Sequence, residues 1–157
     1  LVIFEGIHAL NDVIVGKNPN AFKLYIAARS NVTDEDGSVV FQHPWLRLSR
    51  RIVRDYKFRG SDANFTLKMW PNVRRGEKLY ISPYKENADI MFDSSLPDEV
   101  AVLKPHVVPL LEPVKDKYEI AADILRGYEA IEPMDDGCIA ADSLVREFIG
   151  GSSYDNH

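Results

Sequence analysis

Hydrophobic and polar positions along the chain follow two different periods. Leu1–Phe4 (LVIF) is a continuous apolar run, and Lys23–Ala28 (KLYIAA) and Ala88–Asp93 (ADIMFD) are two more. Short unbroken runs of this kind predict strands buried on both faces, as in a parallel sheet. Helical spacing separates them, so α/β crossovers and a mostly parallel sheet flanked by helices are expected. Asn31–Val40 (NVTDEDGSVV) is polar and contains a glycine, the pattern of an exposed and mobile connection.

Trp45–Gly60 (WLRLSRRIVRDYKFRG) predicts a helix with an apolar stripe at Trp45, Leu48, Ile52 and Tyr56. Arg47, Arg50, Arg51 and Arg54 recur at three- and four-residue intervals and so share the other face. Gly60 is a helix stop, and Ser61 or Asp62 can cap a following helix over Ala63–Trp70 that Pro71 should kink or end. A further helix is expected through Arg74, Arg75 and Tyr80 to about Pro83. Pro97 or Asp98 should start one that reaches Leu111 despite Pro105 and Pro109. Lys117–Tyr128 reads as amphipathic. Asp142–Ile149 reads as a short helix capped by Asp142 or Ser143 and stopped by Gly150–Gly151. Trp45, Trp70, Tyr80 and Tyr84 are expected in the core or at its rim.

A length of 157 residues suits one core, so a single domain over 1–157 is expected, with 141–157 as a C-terminal extension. No apolar run approaches the ~20 residues of a membrane span, and no membrane partner is expected. A net charge of −5 argues against a nucleic-acid partner. The single cysteine, Cys138, fits an unreactive thiol in a reducing compartment, and a cytoplasmic location is expected. No basic segment precedes the first apolar run, so a signal peptide is not expected. Because a buried strand needs neighbours on both sides, Leu1–Phe4 suggests the C-terminal part of a longer protein. Charge is unevenly spread: Trp45–Gly60 holds six basic residues against one acid, Asp55, which points to a small anionic ligand there.

Glu5 and Gly6 follow the first apolar run. In open α/β sheets ligands bind beyond the carboxyl ends of strands. A carboxylate there can hold Mg²⁺, and a glycine lets backbone approach a ligand. The bland alternative is a strand-end acid facing solvent. Four arginines on one face repel one another unless anions neutralise them, and guanidinium forks match phosphate oxygens. Surface salt bridges, each worth ~0–1 kcal/mol, are the alternative there. His8 lies close enough to Glu5 in sequence to reach the same cleft, or it is structural. Gly16–Lys17 does not end a phosphate loop: G-x-x-x-x-G-K-[ST] requires glycine where Asn11 stands and Ser or Thr where Asn18 stands. His8, His43, His106 and His157 have no metal-ligand spacing. No nucleophile elbow is present.

The strings FEGIHALND, RLSRRIVRDYKFRG, MWPNVRRGEKLYISPYKENADIMFDSS, LKPHVVPLL and REFIGGS, in that order, resemble the C-terminal half of uridine kinase-like proteins. These belong to the phosphoribulokinase/uridine kinase family of P-loop kinases. The resemblance spans nearly the whole chain and is nearest to bacterial members that end in a REFIGGS-type sequence. It implies a partial P-loop-kinase three-layer fold lacking the N-terminal strands and phosphate loop. It implies that ATP and Mg²⁺ are the cofactors and that Glu5 is a catalytic acid near the metal. Arg47 then lies near the phosphoacceptor, and Arg50, Arg51, Arg54 and Arg59 belong to a lid helix over the ATP phosphates. Arg54 and Arg59 are assigned to catalysis, and Arg47, Arg50, Arg51 and His8 to substrate or phosphate binding. The implied reaction moves the γ-phosphoryl group of ATP to a nucleoside or other small hydroxyl acceptor. The family's phosphate loop and general base lie upstream of the matching region, so the chain by itself is expected to be inactive. A homo-oligomer is possible. Two other readings remain at this point, a non-catalytic binding or regulatory module of kinase-like shape and, less well supported, RNA binding through the arginine helix.

Overall fold

The computed structural model describes residues 1–154, and His157 and the rest of 155–157 lie outside them. The chain divides into two compact units, residues 1–27 with 69–94, and residues 28–68 with 95–157.

The first unit is α/β. Its strands β1 (Leu24–Ala27) and β4 (Ile90–Asp93) pair in parallel, Leu24 opposite Ile90 through Ala27 opposite Asp93. Both expected strands form, in the expected parallel sense. Two side-chain contacts fix their start: Asp89 Oδ2 accepts the Lys23 backbone N–H at 2.7 Å and sits 3.4 Å from its ammonium. A short helix, α1 (Asp12–Val15), precedes them, with the Asn11 side chain accepting the Val13 N–H.

Leu1–Phe4 forms no strand, contrary to expectation, and Phe4 is 74% exposed. A strand requires a neighbour whose backbone groups meet its own, and among the described residues β1 and β4 pair only with each other. Ile26 and Phe92 on these strands are also more than half exposed. Their apolar runs have the composition of buried sheet without the cover that buried sheet has.

The second unit is mainly helical. It starts with an antiparallel hairpin, β2 (Val32–Thr33) and β3 (Val39–Phe41), where a plain connection was expected. Asp34 and Gly37 make the turn: Gly37 takes φ of +86°, and its N–H donates to the Asp34 carbonyl at 3.1 Å. The Asp34 and Asp36 carboxylates both accept the Ser38 N–H, and the hydrogen bonds from Ser38 pull Asp36 down to a pKa of about 2. These local bonds turn a polar segment into a tight reversal.

Helix α2 (His43–Phe58) follows, with Pro44 in its first turn. Asn31 Oδ1 accepts the His43 N–H at 2.8 Å, satisfying one otherwise orphaned donor. Gly60, at φ of +63°, ends the helix, and the Arg59 and Ser61 N–H groups both return to the Asp55 carbonyl. Asp62 then caps α3 (Ala63–Tyr80) by accepting the Phe65 N–H at 2.7 Å. Pro71 does not end α3, which continues past it to Tyr80. Proline there removes only the bond to the Leu67 carbonyl, and burial of Leu67 and Trp70 supports the turns around it. The helix expected through Arg74, Arg75 and Tyr80 forms as the second part of α3, and a 3₁₀ stretch, Ser82–Asn87 of the first unit, follows it.

Helices α4 (Glu99–Leu111), with both prolines inside it, and α5 (Glu119–Glu129) complete the core with α2. Leu48, Ile52, Val53, Val102, Leu103, Val107, Leu111 and Ile124 are fully buried. Tyr56, expected on the apolar stripe, is exposed, because the buried positions of α2 centre on Leu48, Ile52 and Val53 instead. The last helix, α6 (Arg146–Ile149), is half the expected length. Ser143 does not cap a longer helix. Its carbonyl and hydroxyl instead take the Arg146 and Val145 N–H groups in a local turn. Gly150 and Gly151, at φ of +93° and +76°, end the helix as expected.

Between α2 and α4 lies a charge with no access to solvent. The side chain of Glu99 is 0% exposed, and both of its oxygens are taken by Arg50, from Nε and, at 2.6 Å, from a terminal nitrogen. Burial of both ions is costly, and their two-pronged geometry offsets it only while both partners remain. Replacing Glu99 with alanine is therefore expected to lower stability by about 3–5 kcal/mol. The joint Arg50→Met/Glu99→Leu change should cost less than either single change; urea unfolding of the three variants measures both. Gly127 on α5 is a second test. A β-carbon there would lie 2.9 Å from the Phe41 and Trp45 rings and 3.1 Å from the Val40 carbonyl. Gly127→Ala should lower the unfolding free energy by about 1–3 kcal/mol, the cost of overpacking.

Candidate phosphate-binding helix and acidic turn

The arginines of α2 are not the unneutralised stripe that their sequence neighbourhood implies. Acids distant in the chain reach them. Arg50 is held by Glu99 as described. Arg54 lies 3.4 Å from a Glu147 carboxylate oxygen on α6. Arg51 and Arg59 flank one buried carboxylate, Asp55, at 3.3 and 3.2 Å, and the Thr66 hydroxyl donates to the same group at 3.2 Å. Arg47 is half-buried one turn before Arg50 and Arg51. The premise that acids are lacking fails because Glu99 and Glu147 lie 49 and 93 residues from their partners.

Aromatic support completes the arrangement. The Phe148 ring lies under two guanidinium groups, 5.0 Å from Arg50 and 6.0 Å from Arg54. Both distances are within the range of cation–π attraction. Arg54 is the electrostatically uncomfortable member. Burial lowers its pKa, and the neighbouring Arg59 lowers it further. Its Nε is buried without a hydrogen-bond partner. A guanidinium has five donors in a planar fork, and Arg54 makes one long hydrogen bond, so it has capacity for an anion. Arg50 has committed its fork to Glu99.

The other candidate residues belong to the first unit. Glu5 is exposed and directly precedes Gly6, whose φ of +143° and open surroundings leave room for close approach. The Gly6 carbonyl accepts the Ala9 N–H and the His8 carbonyl accepts the Asn11 N–H, so Gly6–Asn11 is a pair of turns rather than a strand end. His8 is exposed on them. Asn87 fixes this segment: its side-chain amide donates to the Leu10 carbonyl at 2.9 Å and to the Asp12 carboxylate at 2.8 Å. That role was not foreseen, although Asn87 lies in the ENAD string that carries the resemblance. Each set of candidates is thus placed within its own unit.

As for a metal, Glu5 offers one exposed carboxylate, which suits Mg²⁺ because that ion takes one or two carboxylates and fills its sphere with water and phosphate oxygens. Among the described residues no group of three or more His, Cys, Asp or Glu forms an all-protein cage. No helix among them is long and apolar enough to cross a membrane. Cys138 is exposed and unpaired with another cysteine.

A second polar cluster lies away from the arginine fork. His106 Nε2 is 3.0 Å from Asp136, and burial, then the nearby Lys57 charge, lower the histidine pKa. Arg146 donates to the Asp136 and Ile139 carbonyls at 2.6 and 2.7 Å. Sequence spacing gave no sign of this cluster, since His106 lies 30 residues before Asp136, on the far side of α5.

Comparison with known proteins gives one result that bears on identity. The family described as Phosphoribulokinase / Uridine kinase matches residues 1–101, a span that takes in Glu5, His8, the whole of α2 and Glu99. No curated protein and no solved structure matches the chain. The match covers well over half of the 157 residues and includes both the acidic turn and the arginine helix, and the chain belongs to the phosphoribulokinase/uridine kinase family.

Proposed function

We propose that the chain is the acid- and lid-bearing part of a uridine kinase-like phosphotransferase, one that moves the γ-phosphoryl group of ATP to the 5′-hydroxyl of a nucleoside. The observation that carries this reading is that the family match includes α2, whose arginines are held in place by internal carboxylates. In phosphoryl transfer the protein mainly positions groups and stabilises charge, so donors that need no rearrangement are the useful ones. Arg54 and Arg59 serve the transferring phosphoryl group, Arg51 the neighbouring phosphates, and Arg47 the acceptor side. Arg50 contributes by holding the helix against Glu99. Glu5 is one ligand for Mg²⁺, which when bound neutralises phosphate charge, and His8 lies beside it in the same turn.

Two features support a larger catalytic body. The apolar strands β1 and β4 are uncovered, and the residues at hand include no Gly-rich phosphate loop. The chain therefore acts as one cytoplasmic kinase-type domain only together with the family's phosphate-loop half, and residues 141–157 extend it. A non-catalytic module with the same shape is the other reading, favoured by the number of arginines already neutralised by internal acids.

The 157-residue chain alone should release no ADP from MgATP above background. Steady ADP formation that Glu5→Gln abolishes would overturn the expectation. In the complete enzyme Arg54→Ala should lower kcat at least ~10-fold, the order expected for loss of one charge-stabilising contact. A nucleoside phosphorylation assay with MgATP measures this, and an unchanged kcat with a modest rise in KM would make Arg54 a surface residue.

A further inference from the structure

Residues beyond 101 lie outside the family match, yet one stretch of them touches the arginine helix directly. Arg146–Gly151, the REFIGG string, is docked by contacts that do not involve Arg54. Val145, Phe148 and Ile149 are buried at 0%, 6% and 5% exposure. Arg146 donates to the Asp136, Ile139 and Gly150 carbonyls, and the Lys57 ammonium donates to the Ile149 carbonyl at 2.7 Å. Gly150 takes a positive φ of +93°, and a β-carbon there would lie 3.5 Å from the Phe58 ring, so the end of the segment sits close to α2. A segment held in this way is a permanent part of the unit rather than a flap.

Two side chains of this anchored segment face the arginines. Phe148 supports Arg50 and Arg54 with its ring. Glu147 meets Arg54 through a single 3.4 Å contact, with 32% of the glutamate and 22% of the arginine side chain exposed. The first contact is buried and multiple; the second is long, single and open to water. A partly exposed ion pair of this geometry contributes little to stability and exchanges readily for a stronger anion. A phosphoryl group offers several oxygens to a fork of which Glu147 uses one nitrogen.

We propose that Arg146–Gly151 is the floor of the anion site on α2, with Phe148 positioning the Arg50 and Arg54 guanidinium groups and Glu147 occupying Arg54 until a phosphoryl oxygen replaces its carboxylate. The proposal rests on the reading of α2 as a phosphate-binding helix. It adds that the site extends into the C-terminal segment, and that this segment keeps a half-buried arginine compensated when no ligand is present.

Inorganic triphosphate is the probe, titrated calorimetrically into the 157-residue chain at low ionic strength, with thermal unfolding of every variant as the folding control. Glu147→Gln removes the competing charge and should tighten binding about two- to fivefold. Phe148→Leu keeps the apolar contact but loses the aromatic face and should weaken binding about two- to tenfold, and Phe148→Tyr should restore it. A merely structural role for Glu147 predicts unchanged or weaker binding in Glu147→Gln. If the unaltered chain binds triphosphate, Arg54→Ala abolishes that binding, and Glu147→Gln fails to tighten it, the C-terminal proposal falls and the phosphate reading of α2 stands. If the unaltered chain does not bind, or Arg54→Ala binds equally well, both fall.

Discussion

Glu99 sets the terms for the helical unit. A carboxylate with no solvent access must have its charge answered on the spot, and Arg50, from the neighbouring helix, answers it at both oxygens. That demand fixes the rotation of α2 about its own axis relative to α4. Once Arg50 points at Glu99, Leu48 and Ile52 face the core, and Arg51 and Arg54 fall on the flank that meets Asp55 and α6. Glu99 is also in the first turn of α4, where a negative charge is favoured by the helix dipole, so the same residue serves the local helix and its packing.

How legible this was depends on distance along the chain. The parallel strands β1 and β4, the glycine stop of α2, the Asp62 cap and the helix through Pro105 and Pro109 are local or repeat-patterned features, and the residues declare them. Three departures from the reading have separate causes. Leu1–Phe4 has strand composition without a strand, because pairing is a property of neighbours. The Asn31–Val40 segment folds as a hairpin because Asp34, Asp36 and Ser38 bond one another across a turn, which composition records only as polarity. Pro71 sits inside α3 because packing at Leu67 and Trp70 outweighs one lost hydrogen bond. For the site, helical spacing found Arg47, Arg50, Arg51 and Arg54, but their partners Glu99 and Glu147 arrive by tertiary contact, and no window of sequence contains both ends of those pairs.

The pairing of the arginines changes what the helix can do. Four bare guanidinium groups on one face would repel one another and loosen the helix when no ligand is bound. Compensation by internal carboxylates lowers that repulsion, but it also sets a threshold that any incoming anion must exceed. The arginines differ in this threshold. Arg50 faces a fully buried carboxylate through two contacts, so displacement would strand a charge in the core. Arg54 faces a partly exposed carboxylate, Glu147, through one 3.4 Å contact, so displacing it there strands no charge in the core.

Such a gradient suits a charge-stabilising helix. The innermost arginine is fixed and supplies rigidity, and the outer one has its plane held by Phe148 while its donors stay exchangeable. A donor oriented beforehand spends less on reorganisation when charge develops on a phosphoryl group, which is the main contribution that protein side chains make to this chemistry. The same logic explains why burial and a neighbouring arginine are tolerated at Arg54. In the proposed role a desolvated, like-charged setting favours a multivalent anion, because the field that disfavours one cation beside another favours a ligand carrying more than one negative charge.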